Sequence, residues 1–436
     1  MKRCLILALT LSLTSGIIAE NWAQWRGPTF NGSTTESGLP STWSKSENVV
    51  WKATLPGESA STPIVWEDKL FLSSTDKASE NLLAMCFSRD KGTLLWSHEI
   101  NQGLRQDSRS DYSSPSPATD GNVVVFFYGN GDLIAFDLAG KEQWRRNIQK
   151  DEGDFTFQWT FSSSPLLYEG KLYLQVLQRD TPVHGKGFTD RSNDSYLLAI
   201  DPSTGKTLWK HIRPSQAEKE SLESFATPIP FKFRGQEQLL IVGGDDLTGH
   251  DPSTGKELWR WGTWNPTRIG HWRHVPSPIA SEDIILVCAP KRDPIYAIKA
   301  GGAGLLNDRA IAWVSNDTRE LSSDVPTPAY YQGDFFILSD VRKALSRTEP
   351  KTGKVKWSLE LPGRYKYEAS PLAADGKIYL MNFAGDVLVI DAENGKILSN
   401  IAMGSGSDNM TRSAIIAAHG QLFIRTNSEL YCISQN

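Results

Sequence analysis

The sequence is poor in cysteine, in charge of either sign taken alone, and in long apolar runs. Four cysteines among 436 residues, at positions 4, 86, 288 and 432 and never adjacent, exclude a disulfide-stapled scaffold and a vicinal cysteine pair. Lys and Arg together number 46 against 50 Asp and Glu, and they form no basic block, so a nucleic-acid-binding surface is a poor reading of the chain. The one conspicuous apolar run, residues 4–13, falls short of the roughly 20 residues a membrane-spanning helix needs. It follows Lys2 and Arg3 and leads through Thr14, Ser15 and Gly16 to Ala19, the order of a cleavable export leader. Residues 1–19 are therefore expected to be a signal peptide cut after Ala19, and the mature protein to be periplasmic or secreted. Cys86, Cys288 and Cys432 would then remain, expected as buried thiols in a fold large enough to need no staples.

Glycine (35), proline (23) and tryptophan (15) are abundant, and a repeat explains them. A small-polar residue and Pro precede a β-run, a tight Asp/Gly turn, a second β-run, and a Gly-x-x-x-Trp turn. The clearest copy runs from Phe161 to Trp209. Counted from the Pro position, copies begin at Pro63, Pro117, Pro165, Pro228, Pro278, Pro328, Pro371 and Ile415, a period of about 50 residues. Four short strands per copy make one antiparallel sheet. Such a sheet cannot cover both of its apolar faces until neighbours pack on each side. The pattern predicts an all-β, eight-bladed propeller over residues 48–436, preceded by an N-terminal extension, 20–47. The last copy lacks its outer strand, and Asn48–Pro56 is a spare one, so the N-terminal strand is expected to complete the last blade and close the ring.

Trp51, Trp96, Trp144, Trp209, Trp259, Trp313 and Trp357 fall at one equivalent position after the Gly turn, with Ser399 in that place in the seventh copy. Their expected role is structural: each ring wedged between blades, its indole N–H given to a backbone carbonyl.

The pattern Ala199, Asp201, Thr204, Gly205, Trp209 resembles the tryptophan-docking motif of pyrroloquinoline quinone (PQQ) repeat propellers, and residues 21–32 (NWAQWRGPTFNG) resemble the opening of exported bacterial proteins of planctomycete type with such repeats. The resemblance covers essentially the whole mature chain. It implies the quinoprotein alcohol dehydrogenase-like superfamily, which holds both quinoprotein dehydrogenases and the non-catalytic outer-membrane assembly factor BamB. A quinoprotein of that kind is expected to hold PQQ over calcium with a vicinal disulfide and a Glu/Asn/Asp ligand set. The chain has no Cys-Cys pair and no spacing of a calcium loop, so no cofactor and no metal are expected, with PQQ and calcium as the alternative.

Long insertions concentrate in the second-to-third hairpins and blade-to-blade links, which share one face, and that face is the expected binding face. Residues just before each small-polar/Pro element should stand at the mouth of the central funnel: Asp111, Tyr112, Trp159, Phe161, Phe225, Arg273, His274, Asp324, Tyr367, Glu368 and Arg412. Trp264 and Trp272, in a Trp-rich insertion, are the expected exposed contact loop. His271 and His274 lack a third ligand nearby, and the recurrent Ser-Pro serines fit hydrogen bonding around the channel better than an activated nucleophile. The reading is a monomeric scaffold that binds an envelope protein or peptide, with a polar small molecule or glycan as the other ligand classes. Its alternatives are a PQQ-dependent oxidoreductase and a cofactor-free carbohydrate-active propeller using Asp324 and Glu368 as acid and base.

Overall fold

Alternating apolar residues bounded by Gly, Asp and Pro turns produce short strands whose two faces are both buried, as in Val123–Phe127 and Ile284–Cys288. The computed structural model describes residues 20–105, 107–291, 293–318, 320–406 and 410–435; the expected signal peptide lies outside these. The strands assemble into eight antiparallel sheets, the blades of one propeller. Among the described residues only one short α-helix, Ile148–Glu152, and two 3-10 turns interrupt them. Cys86, Cys288 and Cys432 are buried free thiols.

Blade 1 runs outward from Ile64–Trp66 through Lys69–Asp76 and Asn81–Ser88 to Leu94–Gln102, and the other blades follow the same order. Blade 8 consists of Ile416–Ala418, Gln421–Arg425 and Glu429–Ile433, and Val49–Thr54 pairs with the last of these as its outer strand. The ring is thus closed by the two ends of the chain.

The docking tryptophans show why the Gly-x-x-x-Trp spacing recurs. Trp144 gives its indole N–H to Pro202 O in the next blade at 2.7 Å, and Trp51, Trp96, Trp209, Trp313 and Trp357 do likewise with Arg89, Leu138, Pro252, Pro350 and Ala392. Each ring lies flat on the glycine of that neighbouring turn. At Gly205 φ is +71°, and a Cβ would sit 2.7 Å from the Trp144 ring, so glycine is required both by the left-handed backbone and by the close approach.

Two positions depart from this pattern. Trp259 turns inward and donates to Gln238 Oε1 of its own blade at 2.7 Å. Blade 5 has lost the tight turn on which Trp259 would dock: its third and fourth strands are joined by residues 300–310, which reach back and lay Gly304–Leu305 parallel to Glu257–Trp261 as a fifth strand. A longer connection has replaced the tryptophan fastener. At the seventh blade, Ser399 Oγ donates to Ser41 O, Tyr379 OH donates to Pro40 O, and Trp43 packs its ring on Tyr379 with centroids 6.4 Å apart. The small side chain makes room for the N-terminal segment where a continuous turn is missing.

That segment is more than an extension. The innermost strand of each blade is an open edge whose N–H and C=O groups face the channel. At the end away from the long loops, residues 22–36 cover these edges. Trp22 exchanges both backbone hydrogen bonds with Val65 of blade 1, and Ala23 O accepts from Thr119 N of blade 2. The Gln24 side-chain amide pairs with Leu167 N and O of blade 3 like a short strand. Asn31 and Gly32 accept from Tyr330 N and Ala373 N in blades 6 and 7. The channel is therefore closed below.

Candidate functional site

Above this plug lies a funnel that opens on the long-loop face, with a cavity of about 160 Å³. Trp25, from the plug, lies at its base. The residue before each Pro supplies a hydroxyl to its wall, and these hydroxyls form a belt. Thr62 N donates to Ser116 Oγ, Ser116 N to Ser164 Oγ, Ser164 N to Thr227 Oγ1, Thr227 N to Ser277 Oγ, Ser277 N to Thr327 Oγ1, Thr327 N to Ser370 Oγ, and Ala414 N to Thr62 Oγ1, all at 2.9–3.1 Å. Ala414 has no hydroxyl, so the belt breaks once, between blades 7 and 8. A hydroxyl that accepts in the belt still has one hydrogen to donate. Thr62, Ser116, Ser164, Thr227, Thr327 and Ser370 all line the cavity, so the lumen is rich in donors.

The mouth is cationic. Arg109, Arg273 and Arg412 line it with Trp159 and Phe225, against two carboxylates, Glu368 on the wall and Glu220 beside Arg273. Arg412 Nε is 2.9 Å from Glu368, and Arg273 is 3.6 Å from Glu220, which also accepts the Trp159 indole N–H. The Arg109 guanidinium lies over the Trp159 ring, 5.6 Å from its centroid, and has no ion pair among the described residues. Burial, with Arg273 opposed by Asp324 and Glu220, pulls the Lys291 ammonium below its ordinary range.

Of the expected mouth residues, Trp159, Phe225, Arg273, Glu368 and Arg412 converge on the cavity, while Phe161 is core and the rest lie elsewhere. Asp111 and Tyr112 line a side crevice with Arg105. The Asp111 carboxyl is buried and raised by that burial, while it accepts from Ser113 N and Oγ. Asp324 accepts from Lys291 N and is not on the cavity wall, and Glu368 is engaged by Arg412, so the two do not form an acid–base pair across the lumen. Tyr367 is core, its hydroxyl bonded to Pro362 O. The expected contact loop is a correction too. Trp264 is only 5% exposed and packs on Trp261 and His274, and Trp272 packs partly buried on the same core. Aromatic side chains in that insertion fold inward because blade 4 has an apolar end to cover. Burial pushes the His274 imidazole down to about 4, so it stays neutral and faces the core. Trp25 and Arg109 were not among the expected residues.

Behind the wall, Glu223 holds Arg179 at 2.5 Å, yet its carboxyl is pushed up to about 7. Burial outweighs the ion pair because the second oxygen is enclosed without a donor. A carboxyl raised in the folded state stabilises the fold below its ordinary range, and that contribution is lost as pH rises through about 7. Wild type is thus expected to lose about 3 kcal/mol relative to Glu223→Gln between pH 5 and pH 8, checked by urea denaturation of both proteins. A constant difference across that range would refute it.

Among the described residues no three His, Cys, Asp or Glu side chains cluster to hold a metal ion. With Glu368 committed to Arg412, the funnel's donor set does not fit a calcium-held quinone, although its cations and aromatic floor would accept an anion. No described helix is long and apolar enough to cross a membrane.

A family model described as outer membrane protein assembly factor BamB, a PQQ-repeat family, matches residues 33–179, 154–303 and 193–436. The chain belongs to this family. The fold of BamB from Moraxella catarrhalis is similar, with a TM-score of 0.57 at 14% identity over 89% of this chain and 97% of that one. A europium-containing methanol dehydrogenase superposes with a TM-score of 0.67 at 11% identity, covering 95% of this chain and 98% of that one. Quinohemoprotein alcohol dehydrogenase from Comamonas testosteroni is 26% identical over 228 residues, 47% of this chain and 30% of the enzyme's length. Its crystal structure superposes with a TM-score of 0.65 over 95% of this chain and 81% of that one at 12% identity. BamB-family membership and the enzyme likeness describe the same eight-bladed ring, and the site residues must separate them.

Proposed function

We propose that this BamB-family chain is an exported, non-catalytic binding propeller that receives an acidic segment of a partner protein in the mouth of its funnel. The observation that supports this is the imbalance at the rim: three guanidiniums face two carboxylates, Glu368 on Arg412 and Glu220 on Arg273, and Arg109 is presented on Trp159 without an ion pair of its own among the described residues. Guanidinium forks bind carboxylates bidentately, and an aromatic wall supplies apolar contact for the flanking side chains. A concave, positively charged mouth also speeds capture of an acidic partner. The family description points to an assembly factor, and the long loops surround the same opening.

The likeness to a quinohemoprotein alcohol dehydrogenase supports a second reading, a quinone-dependent oxidoreductase. Titration of the purified protein with acidic, neutral and basic peptides of equal length, followed by tryptophan fluorescence, separates the readings. Acidic peptides are expected to bind best, with Arg109→Glu weakening them about tenfold, roughly 1.4 kcal/mol, and Lys206→Glu on the opposite face leaving them unchanged. Equal affinity for basic peptides, or no loss in Arg109→Glu, would sink the binding reading. Saturable PQQ binding with calcium-dependent dye reduction would replace it with the oxidoreductase.

A further inference from the structure

Glu36 is a buried carboxylate, 4% exposed, on the plugged face of the ring. Its donors are all backbone N–H groups. Glu20 N lies 2.6 Å from Oε1, His419 N lies 3.0 Å from the same oxygen, and Gly420 N lies 2.6 Å from Oε2. No Lys, Arg or His forms an ion pair with it among the described residues; the His419 ring is turned to Asn21 Oδ1 at 3.0 Å. Glu20 itself is held in place. Its carboxylate accepts from Thr34 Oγ1 at 2.5 Å and from Thr35 N at 3.1 Å, which fixes its backbone nitrogen against Glu36. Three N–H donors stabilise the buried carboxylate, and a positive charge on one of those same donors would strengthen the bond without moving any atom.

Such a charge has one natural source. The leader pattern places the cut after Ala19, and that cut would turn the Glu20 amide into an α-ammonium at the point where Glu36 is waiting. We infer that Glu20 is the mature N-terminus and that its α-ammonium forms a buried ion pair with Glu36, locking the plug to blade 8 only after the leader is removed. Hydrolysis of the Ala19–Glu20 peptide bond consumes one water and leaves a carboxylate on Ala19 and an amine on Glu20, which is protonated at neutral pH. Charge-assisted N–H to carboxylate bonds are about twice as strong as neutral ones, so processing strengthens a contact that already exists rather than building a new one. The free end would otherwise be the part of the chain most prone to fray.

The test has two arms. The full chain with its leader is expressed in a bacterium, and the exported protein's N-terminus is read by intact mass; Glu20 is expected, and a start at any other residue overturns the inference. The chain beginning at Glu20 is then compared in urea with one retaining Ala19 and with one N-α-acetylated at Glu20. Both blocked forms are expected to show an unfolding equilibrium constant raised about tenfold, as loss of a charged hydrogen bond implies. The same comparison in the Glu36→Gln background should show no difference. A penalty that persists there is steric and overturns the ion pair, as does equal stability of all three forms with Glu36 intact. If Glu36→Gln fails to fold, Glu36→Asp, which keeps the charge but shortens the reach, is expected to retain part of the penalty, and a full penalty there again indicates a steric effect. None of these outcomes depends on what the funnel binds.

Discussion

A chain beginning at Gly57, without residues 20–56, is expected to lose the folded monomer, whereas one beginning at Glu20 keeps it. Val49–Thr54 completes blade 8, and without it Glu429–Ile433 becomes an unpaired edge whose Leu430, Cys432 and Ile433 are fully buried in the intact ring. Trp51 is lost at the same time. It is 8% exposed, gives its indole N–H to Arg89 O of blade 1 at 2.6 Å, and lies flat on Gly92. A Trp→Ala truncation at such a site alone costs about 3–5 kcal/mol, and here the strand that carries it goes too. The combined loss is comparable with the whole stability of a domain, about 5–15 kcal/mol. Size-exclusion chromatography with light scattering should show the Gly57 chain as soluble aggregate and the Glu20 chain as a cooperatively unfolding monomer. Adding a peptide of residues 44–57 should recover some monomer from the first. A cooperative monomer from the Gly57 chain alone would show that strand closure is dispensable.

The same contrast marks what could be read in the sequence. The ring was legible because its signals are local and repeated: Pro before the inner strand, a Gly turn, and a Trp four residues later state one docking contact six times over, as at Gly205 and Trp144. Blade 5 shows the limit. Trp259 looks like its six counterparts, but its environment depends on a turn more than forty residues later, in the next blade, which the insertion at 300–310 has replaced. The site was less legible because proximity to a Pro element fixes height along the channel and not direction. Glu368 and Arg412 point into the lumen, while Asp324, Tyr367 and His274, chosen by the same rule, serve the wall behind it. Arg109 escaped because it stands several residues upstream of its element, in a loop with no repeat to count against. The plug escaped for the opposite reason: its partners are up to 398 residues away, as Asn21 and His419 are. One signal was present all the same. Trp22, Trp25, Phe30, Leu39 and Trp43 are too many large apolar side chains for a solvated extension, and Trp22, Leu39 and Trp43 prove buried.

Arg26 is where that plug is held, and Arg26→Ala is expected to lower stability by about 2–4 kcal/mol. Its side chain is 2% exposed, and its guanidinium donates to Pro328 O at 2.7 Å and Pro371 O at 3.2 Å, bridging blades 6 and 7. Gly32, at φ +77°, lies flat against it, and the Trp25 ring is 5.7 Å away on its way to the funnel floor. No carboxylate pairs with it among the described residues, and burial draws its ordinarily very high pKa down to about 9. Two opposed terms therefore decide the outcome. Removing the side chain relieves the desolvation of a cation, which favours the variant; it also strands two carbonyls of the inner strands without donors, at about 1–3 kcal/mol each. The second term wins because the carbonyls belong to blades that remain, unlike an ion pair whose partners are both replaced. Arg26→Lys should lose less, since one ammonium reaches one carbonyl but not both. Arg26→Met should fall between, filling the space and satisfying neither. Because Trp22 and Gln24 still dock on blades 1 and 3, the Ala variant should first open locally, with proteases clipping residues 26–35 well before the ring unfolds in urea. A urea midpoint and clipping rate equal to wild type would mean that the guanidinium bridges nothing that water cannot replace. The floor beneath Trp25 would then rest on the backbone pairing alone.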